Sequence, residues 1–89
     1  MSDYIGQIPE EVDQLASDFD LKATDLENLK SAITAKLAGT TWTGADRERF
    51  ESDWEGQLSP AITSVTAQLR GASDLAAGNA EEQRTASAT

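Results

Sequence analysis

Two runs of apolar residues, separated by a short interruption, most restrict how this chain can fold. Within each run, large apolar side chains recur every three or four residues, with one gap at Lys22, so they fall on one face of an α-helix. The runs consist of Val12, Leu15, Phe19, Leu26, Leu29, Ile33 and Leu37, and of Phe50, Trp54, Leu58, Ile62, Val65 and Leu69. This spacing predicts two amphipathic helices and no strands.

The ends of the first helix carry their own signals. Pro9 suits the first helical position, and the acidic residues Glu10 and Glu11 favour the positive end of the helix dipole. Lys36 suits the last turn, and Gly39 suits the left-handed position that follows many helices. We therefore expect a helix over about 9–38, preceded by an irregular segment at 1–8.

The second helix is expected over about 44–79, after a turn at 39–43. Thr43 and Asp46 match the capping-box spacing, which favours a helix start near Gly44. Pro60 lies inside the apolar pattern and removes one backbone hydrogen bond. The pattern keeps its phase across this proline, which favours one helix kinked near Pro60. The alternative is a break, with Ser59 capping a third helix.

The tail at 81–89 has no large apolar side chain, and we expect it to be disordered. The helical unit is thus expected to span 9–80. Because a short connection makes consecutive helices antiparallel neighbours, the predicted fold is an all-α, two-helix hairpin with Trp42-Thr43-Gly44 at its turn.

A hairpin of this size needs a partner. Its two helices bury only part of their apolar faces against each other, and a chain of 89 residues is marginally stable by itself. A second hairpin would bury the remainder in a four-helix bundle. The thirteen apolar residues named above are therefore the predicted hairpin core and dimer face.

Composition excludes several functions. The chain has no Cys and no His, which removes disulfides, the usual zinc ligands and the commonest catalytic bases and nucleophiles. We expect no catalytic residues, no metal and no cofactor. The net charge of −9 argues against binding to nucleic acids and to anionic membranes. The beginning of the sequence shows no secretory signal peptide.

Trp42 is unusual because an exposed indole in a short connection is a liability. One interpretation is that Trp42 folds as a lid over the end of the helix pair. The other is that Trp42 is a contact point for another protein. The two interpretations are compatible.

The chain resembles the WXG family of small helical-hairpin proteins, which type VII (ESX-type) secretion systems export. Trp42-x-Gly44 lies near the middle of a chain of fewer than a hundred residues, between two amphipathic helices, and Phe50 follows eight residues after Trp42. The resemblance covers about residues 9–80. It implies a hairpin with the W-x-G at the bend, assembled as a homodimer or as a heterodimer with a sister chain.

The resemblance also implies a role. Such proteins are exported folded, without a cleavable signal peptide, through a membrane ATPase complex, and they act as secreted effectors or as carriers for larger toxins. Family members or their partners often have a tyrosine after the second helix, followed four residues later by Asp or Glu. Here Asn79 and Gln83 occupy that spacing, and the only tyrosine is Tyr4.

Two rival hypotheses remain. The absent tyrosine favours a cytoplasmic helical adaptor or targeting chaperone, which would bind the helical domain of a toxin exported by a type VII system. The second rival hypothesis is a membrane-active amphipathic hairpin, and the acidic polar face argues against it.

Overall fold

The computed structural model describes residues 8–88, and this part of the chain is helical except at Ile8 and at 40–44. It contains α1 (Pro9–Gly39), α2 (Ala45–Asp53) and α3 (Ser59–Ala88), with one π-helical turn at Trp54–Leu58 between α2 and α3. The all-α class is confirmed, with no strand in the described residues. The irregular segment expected at 1–8 lies, apart from Ile8, outside them.

The molecule is a helical hairpin with two arms. The first arm is α1, and the second arm is the continuous run of α2, the π-helical turn and α3, residues 45–88. α1 packs along α3 in the antiparallel direction, with Asp13 near Arg84 at one end and Thr34 near Trp54 at the other. The principal extents are 66 × 18 × 15 Å, as expected for two long helices side by side.

The second arm does not break at Pro60. Ser59 has helical dihedral angles, with φ of −62° and ψ of −46°, and its N–H donates to the carbonyl of Trp54, five residues earlier. Proline has no N–H to offer the preceding turn, and its ring crowds the carbonyl four residues before it. A wider turn directly before Pro60 accommodates both effects, so the arm continues as one helical run.

The end of α1 differs from the expected left-handed glycine cap. Gly39 is the last helical residue, and it has no positive φ. Thr40 closes the helix instead, in an extended conformation with φ of −98°. Its Oγ1 donates to the Lys36 carbonyl at 2.6 Å, and its N–H donates to the Leu37 carbonyl at 3.4 Å. These bonds satisfy carbonyls that the helix end would otherwise leave unpaired.

The start of α2 also differs from its prediction. The capping residue is Gly44, and no side chain of the described residues caps the helix, so the expected capping box of Thr43 and Asp46 does not form. Gly44 has φ of 113° and ψ of −177°, a region essentially restricted to glycine. A Cβ at Gly44 would meet nothing within 4 Å, so the backbone conformation, not space, is what favours glycine here.

α3 continues to Ala88, where the sequence predicts a helix end near 79 and a disordered tail over 81–89. Ala80 and Gln83 are buried, and Arg84 lies 2.6 Å from the Asp13 carboxylate and 3.8 Å from that of Glu10. Small and polar side chains thus hold the last turns of α3 against α1. The pattern of large apolar residues does not predict this packing.

Candidate interaction surface

Small residues line the contact between the two arms, which we call the seam. Ala16 and Ala23 of α1 and Thr66 and Ala80 of α3 are buried, with exposed fractions between 0% and 5%. Ser73 donates a hydrogen bond of 2.7 Å to the backbone carbonyl of Ala16 across the seam. Side chains this small allow the helices to approach closely, and most of the bulky residues beside them are half-buried or exposed.

One edge of the hairpin carries ion pairs between the arms. Arg70 lies 2.9 Å from Glu27 and 3.7 Å from Asp20, and Arg84 lies 2.6 Å from Asp13. The hydrogen bond to Asp13 raises the pKa of the Arg84 guanidinium above its usual value. These charged residues stand three positions before or four after a seam residue, so they share one side of the seam.

The opposite side of the seam is apolar. On this side, each apolar residue lies either four positions before or three positions after a seam residue. In α1 these are Val12, Phe19 and Leu26, next to Ala16 and Ala23, and in α3 they are Ile62 and Leu69, next to Thr66. Because the ion pairs join the polar sides of both helices, the apolar sides of both helices lie together on the other side. This surface, the open face, consists of Val12, Leu15, Phe19, Leu26, Leu29, Ile33, Leu37, Leu58, Ile62, Val65 and Leu69.

The open face is only partly covered. Its half-buried members are Val12, Phe19, Leu26, Leu37, Ile62 and Leu69. The others are exposed: Leu15 48%, Leu29 48%, Ile33 38%, Leu58 45% and Val65 46%. The predicted set of thirteen thus holds one buried residue, Trp54, at 7% exposure, with Phe50 half-buried. The fully buried contact between the arms is made by the small seam residues together with Trp54, and the assignment of the thirteen residues to a dimer face stays a prediction.

The apolar pattern of large side chains does not predict these seam residues, because they are small. A signal for them exists in the sequence. Ala16 and Ala23 are seven residues apart, as are Thr66, Ser73 and Ala80 in turn. A seven-residue repeat of small residues beside an apolar stripe indicates the line along which two helices approach closely.

An aromatic row extends the open face to the turn. The ring centroids of Trp42 and Phe50 are 6.2 Å apart, and those of Phe50 and Trp54 are 6.3 Å apart with planes only 18° from parallel. Trp42 remains 40% exposed. Together with Thr40, it borders a shallow groove whose other walls are Ile33, Lys36, Leu37 and Phe50. Trp42 therefore covers Phe50 and also presents indole surface, so both interpretations of this residue stay open.

Arg47 ties down the connection that carries Trp42. Its Nη1 donates to the Trp42 carbonyl at 2.9 Å and to the Thr40 carbonyl at 3.3 Å. Its Nε and Nη2 donate to Oε2 of Glu51, at 3.3 and 3.1 Å. The planar guanidinium thus joins two backbone carbonyls to a carboxylate one helical turn further on, a geometry that lysine cannot reproduce.

Other kinds of site find no support within residues 8–88. No three potential metal ligands come together there, and none of the helices is long and apolar enough to cross a membrane. No protein-family model, no curated protein and no solved structure matches the chain. The open face and the Trp42 groove are the surface features that indicate a function.

Proposed function

We propose that this protein is a non-enzymatic, WXG-type hairpin that packs its open face against a second helical hairpin in a four-helix bundle. The observation that carries the proposal is the row of exposed large apolar side chains on one face: Leu15, Leu29, Ile33, Leu58 and Val65. Contiguous apolar surface on a small protein indicates a protein contact, and its burial contributes about 25 cal/mol per Å². The partner is a second copy or a sister chain.

In this proposal the bundle is a substrate or co-substrate of a type VII secretion system, and it acts as a secreted effector or as a carrier. Support comes from the position of Trp42-Thr43-Gly44, between two long antiparallel helical arms. Trp42 is exposed beside the open face, where a partner chain or the secretion ATPase could contact it.

A second candidate function is supported by one residue. Asn79 is exposed on α3, at the position where exported WXG-family proteins or their partners often carry tyrosine. A hairpin without that tyrosine suits a cytoplasmic adaptor or targeting chaperone that binds the helical domain of a secreted toxin. Both candidates use the open face, and they differ in whether the protein itself leaves the cell.

Self-association tests the first candidate, in which the open face packs against a second hairpin. Sedimentation equilibrium at micromolar concentration should show a dimer, and Leu29→Asn should weaken the dimer at least tenfold. Leu21→Asn is the matched control, because Leu21 is also exposed on α1, at 59%. Its neighbours on the helix surface are Asp18, three positions before it, and Asp25, four positions after it, so Leu21 lies away from the open face. A chain that is poorly helical alone, but folds with a neighbour-encoded hairpin, indicates a heterodimer. A stable, fully helical monomer contradicts the proposal.

Export separates the two candidates. The secretion hypothesis expects the protein in the culture supernatant, and expects it to disappear from there when the secretion ATPase gene is deleted. Trp42→Ala should leave helicity largely intact but reduce export or partner binding. The adaptor hypothesis expects the protein to stay in the cell, and expects its loss to block export of a toxin that co-purifies with it.

A further inference from the structure

The connection between the arms has few backbone hydrogen bonds of its own. Within the described chain, no backbone–backbone hydrogen bond involves Thr41, Trp42 or Thr43. The segment is bounded by the Thr40 N–H, which donates to Leu37, and by the Gly44 carbonyl, which accepts from Glu48. Between these two points, the position of Trp42 depends on side-chain contacts.

Arg47 supplies the contact that fixes the Trp42 backbone. Its side chain is largely shielded, with 21% exposed, and its 2.9 Å bond to the Trp42 carbonyl is charge-assisted. Glu51 orients the guanidinium from the other side, at 3.1 Å. Arg47 does not line the groove formed with Trp42, so a partner seated in the groove would not need to touch it.

We propose that Arg47, oriented by Glu51, is a positioning residue that holds Trp42 against Phe50 and so keeps the turn end of the open face in its partner-binding shape. This inference rests on the proposed function, because it assumes that the open face packs against a second hairpin. The partner in this inference is a second copy of the chain, whose own open face supplies the apolar helical surface that would fill the groove. The contribution of Arg47 is preorganisation, since a turn already fixed loses less conformational freedom on binding.

Arg49 provides a matched control. It lies two residues away on the same helix, carries the same charge and pairs with Asp46 at 3.8 Å, with 75% of its side chain exposed. Arg49→Gln therefore changes the net charge by the same amount as Arg47→Gln, but leaves the connection untouched. Arg47→Lys keeps the positive charge and removes the planar guanidinium, which donates hydrogen bonds to the Trp42 carbonyl and to Glu51 at the same time.

The experiment uses the full chain and a second copy as the binding partner. The Trp42 indole N–H signal in ¹⁵N NMR spectra reports the position of Trp42, circular dichroism reports helicity, and sedimentation equilibrium reports the dimer dissociation constant. We expect Arg47→Gln to shift the Trp42 signal and weaken the dimer about tenfold, with helicity retained. Arg47→Lys should recover only part of the affinity, and Arg49→Gln should stay within twofold of the wild type.

A double-mutant cycle with Trp42→Ala separates positioning from a general stabilising role. If Arg47 acts through Trp42, Arg47→Gln has no further effect on the dissociation constant once Trp42 is alanine. An undiminished effect in that background, or an unchanged Trp42 signal, overturns the inference alone. A wild-type chain that remains a stable helical monomer overturns the proposed function and this inference together. The two failures are thus distinguishable, since only the first occurs with a wild type that dimerises.

Discussion

The indole Nε1 of Trp54 donates a hydrogen bond of 3.0 Å to Oγ1 of Thr34, joining the second arm to α1 close to the turn. Thr34 in turn donates to the Lys30 carbonyl at 2.9 Å, so the hydroxyl is used twice. Trp54 is the one large apolar side chain buried within residues 8–88. Together with the Ser73–Ala16 bond and the Arg84–Asp13 pair, this directional bond favours one register of the arms, which contacts between alanines alone do not specify.

Thr34→Val should destabilise the hairpin through this bond. The variant keeps the side-chain shape but leaves the indole N–H of a buried tryptophan without its acceptor, which costs about 1–3 kcal/mol. Urea unfolding followed by circular dichroism measures the loss. Thr41→Val is the control, because Thr41 is an exposed threonine in the connection. An equal loss from both variants would contradict the role given to Thr34.

Gly44→Ala should be costly although the site has free space. The φ of 113° with ψ of −177° is strained for any residue with a Cβ, and such strain costs about 1–3 kcal/mol. Gly39→Ala is a matched control with equally free space, and Gly39 is helical. It should be neutral or stabilising by up to about 1 kcal/mol. Thermal unfolding of both variants measures the contrast, and similar melting temperatures would contradict it.

Ala23→Leu should disrupt the seam. Ala23 is 0% exposed, and three additional carbon atoms there would force α1 and α3 apart, at a cost of about 1–3 kcal/mol. Ala35→Leu makes the same chemical change at an exposed position of α1 and should have little effect. Denaturant unfolding compares the two variants. The prediction fails if Ala23→Leu is as stable as the wild type.

Arg84→Gln should loosen the last turns of α3. The 2.6 Å contact with Asp13 is the ion pair that joins this end of α3 to α1 most closely, and local opening becomes easier without it. Hydrogen exchange of the amides around Ala80–Ser87 should accelerate several-fold, with little change near the turn. Arg49→Gln should leave this region unaltered.

The pH dependence of this contact follows from the raised pKa of Arg84. A group whose pKa is raised on folding stabilises the folded state below its unfolded pKa, and loses that contribution as pH rises through the folded pKa. An ordinary arginine already loses its proton only in strongly alkaline solution, and the pKa of Arg84 is raised further, so Arg84 should keep its charge in the pair with Asp13 at any moderately alkaline pH. The measurement is amide hydrogen exchange at Ala80, corrected for the intrinsic exchange rate at each pH. Loss of its protection between pH 8 and pH 10 would contradict the persistence of the Arg84–Asp13 pair.

The apolar spacing alone determined the all-α class, because large side chains every three or four residues form a continuous face only on a helix. It also predicted that this face is covered by a partner, and Leu29 and Val65 are exposed on the single chain. The spacing did not distinguish the face that packs within the hairpin from the face left open. Both faces follow the same period, and the difference between them is about a quarter of a turn around each helix.

Local signals were less informative at the ends of the helices. Thr43 with Asp46, and Gly39 after Lys36, have the expected residue types for caps, but the structure uses Gly44 and Thr40 instead. The tail beyond residue 80 lacks large apolar residues, yet it is helical through Ala88. The cap at Thr40 uses the nearby carbonyls of Lys36 and Leu37, and Gly44 is favoured by its backbone conformation. Only for the tail is the deciding partner distant in sequence, since Asp13 of α1 holds Arg84.

By itself, the sequence determined that the chain forms amphipathic helices on either side of Trp42-Thr43-Gly44 and that it contains no Cys and no His. Periodicity and residue chemistry are local properties, so they can be read from the chain directly. Only the tertiary structure decided which small residues meet at the seam, which edge carries the ion pairs, and that the large apolar side chains remain open beside them. Those outcomes depend on the rotation and distance between the two helices, which arise when the arms pack together.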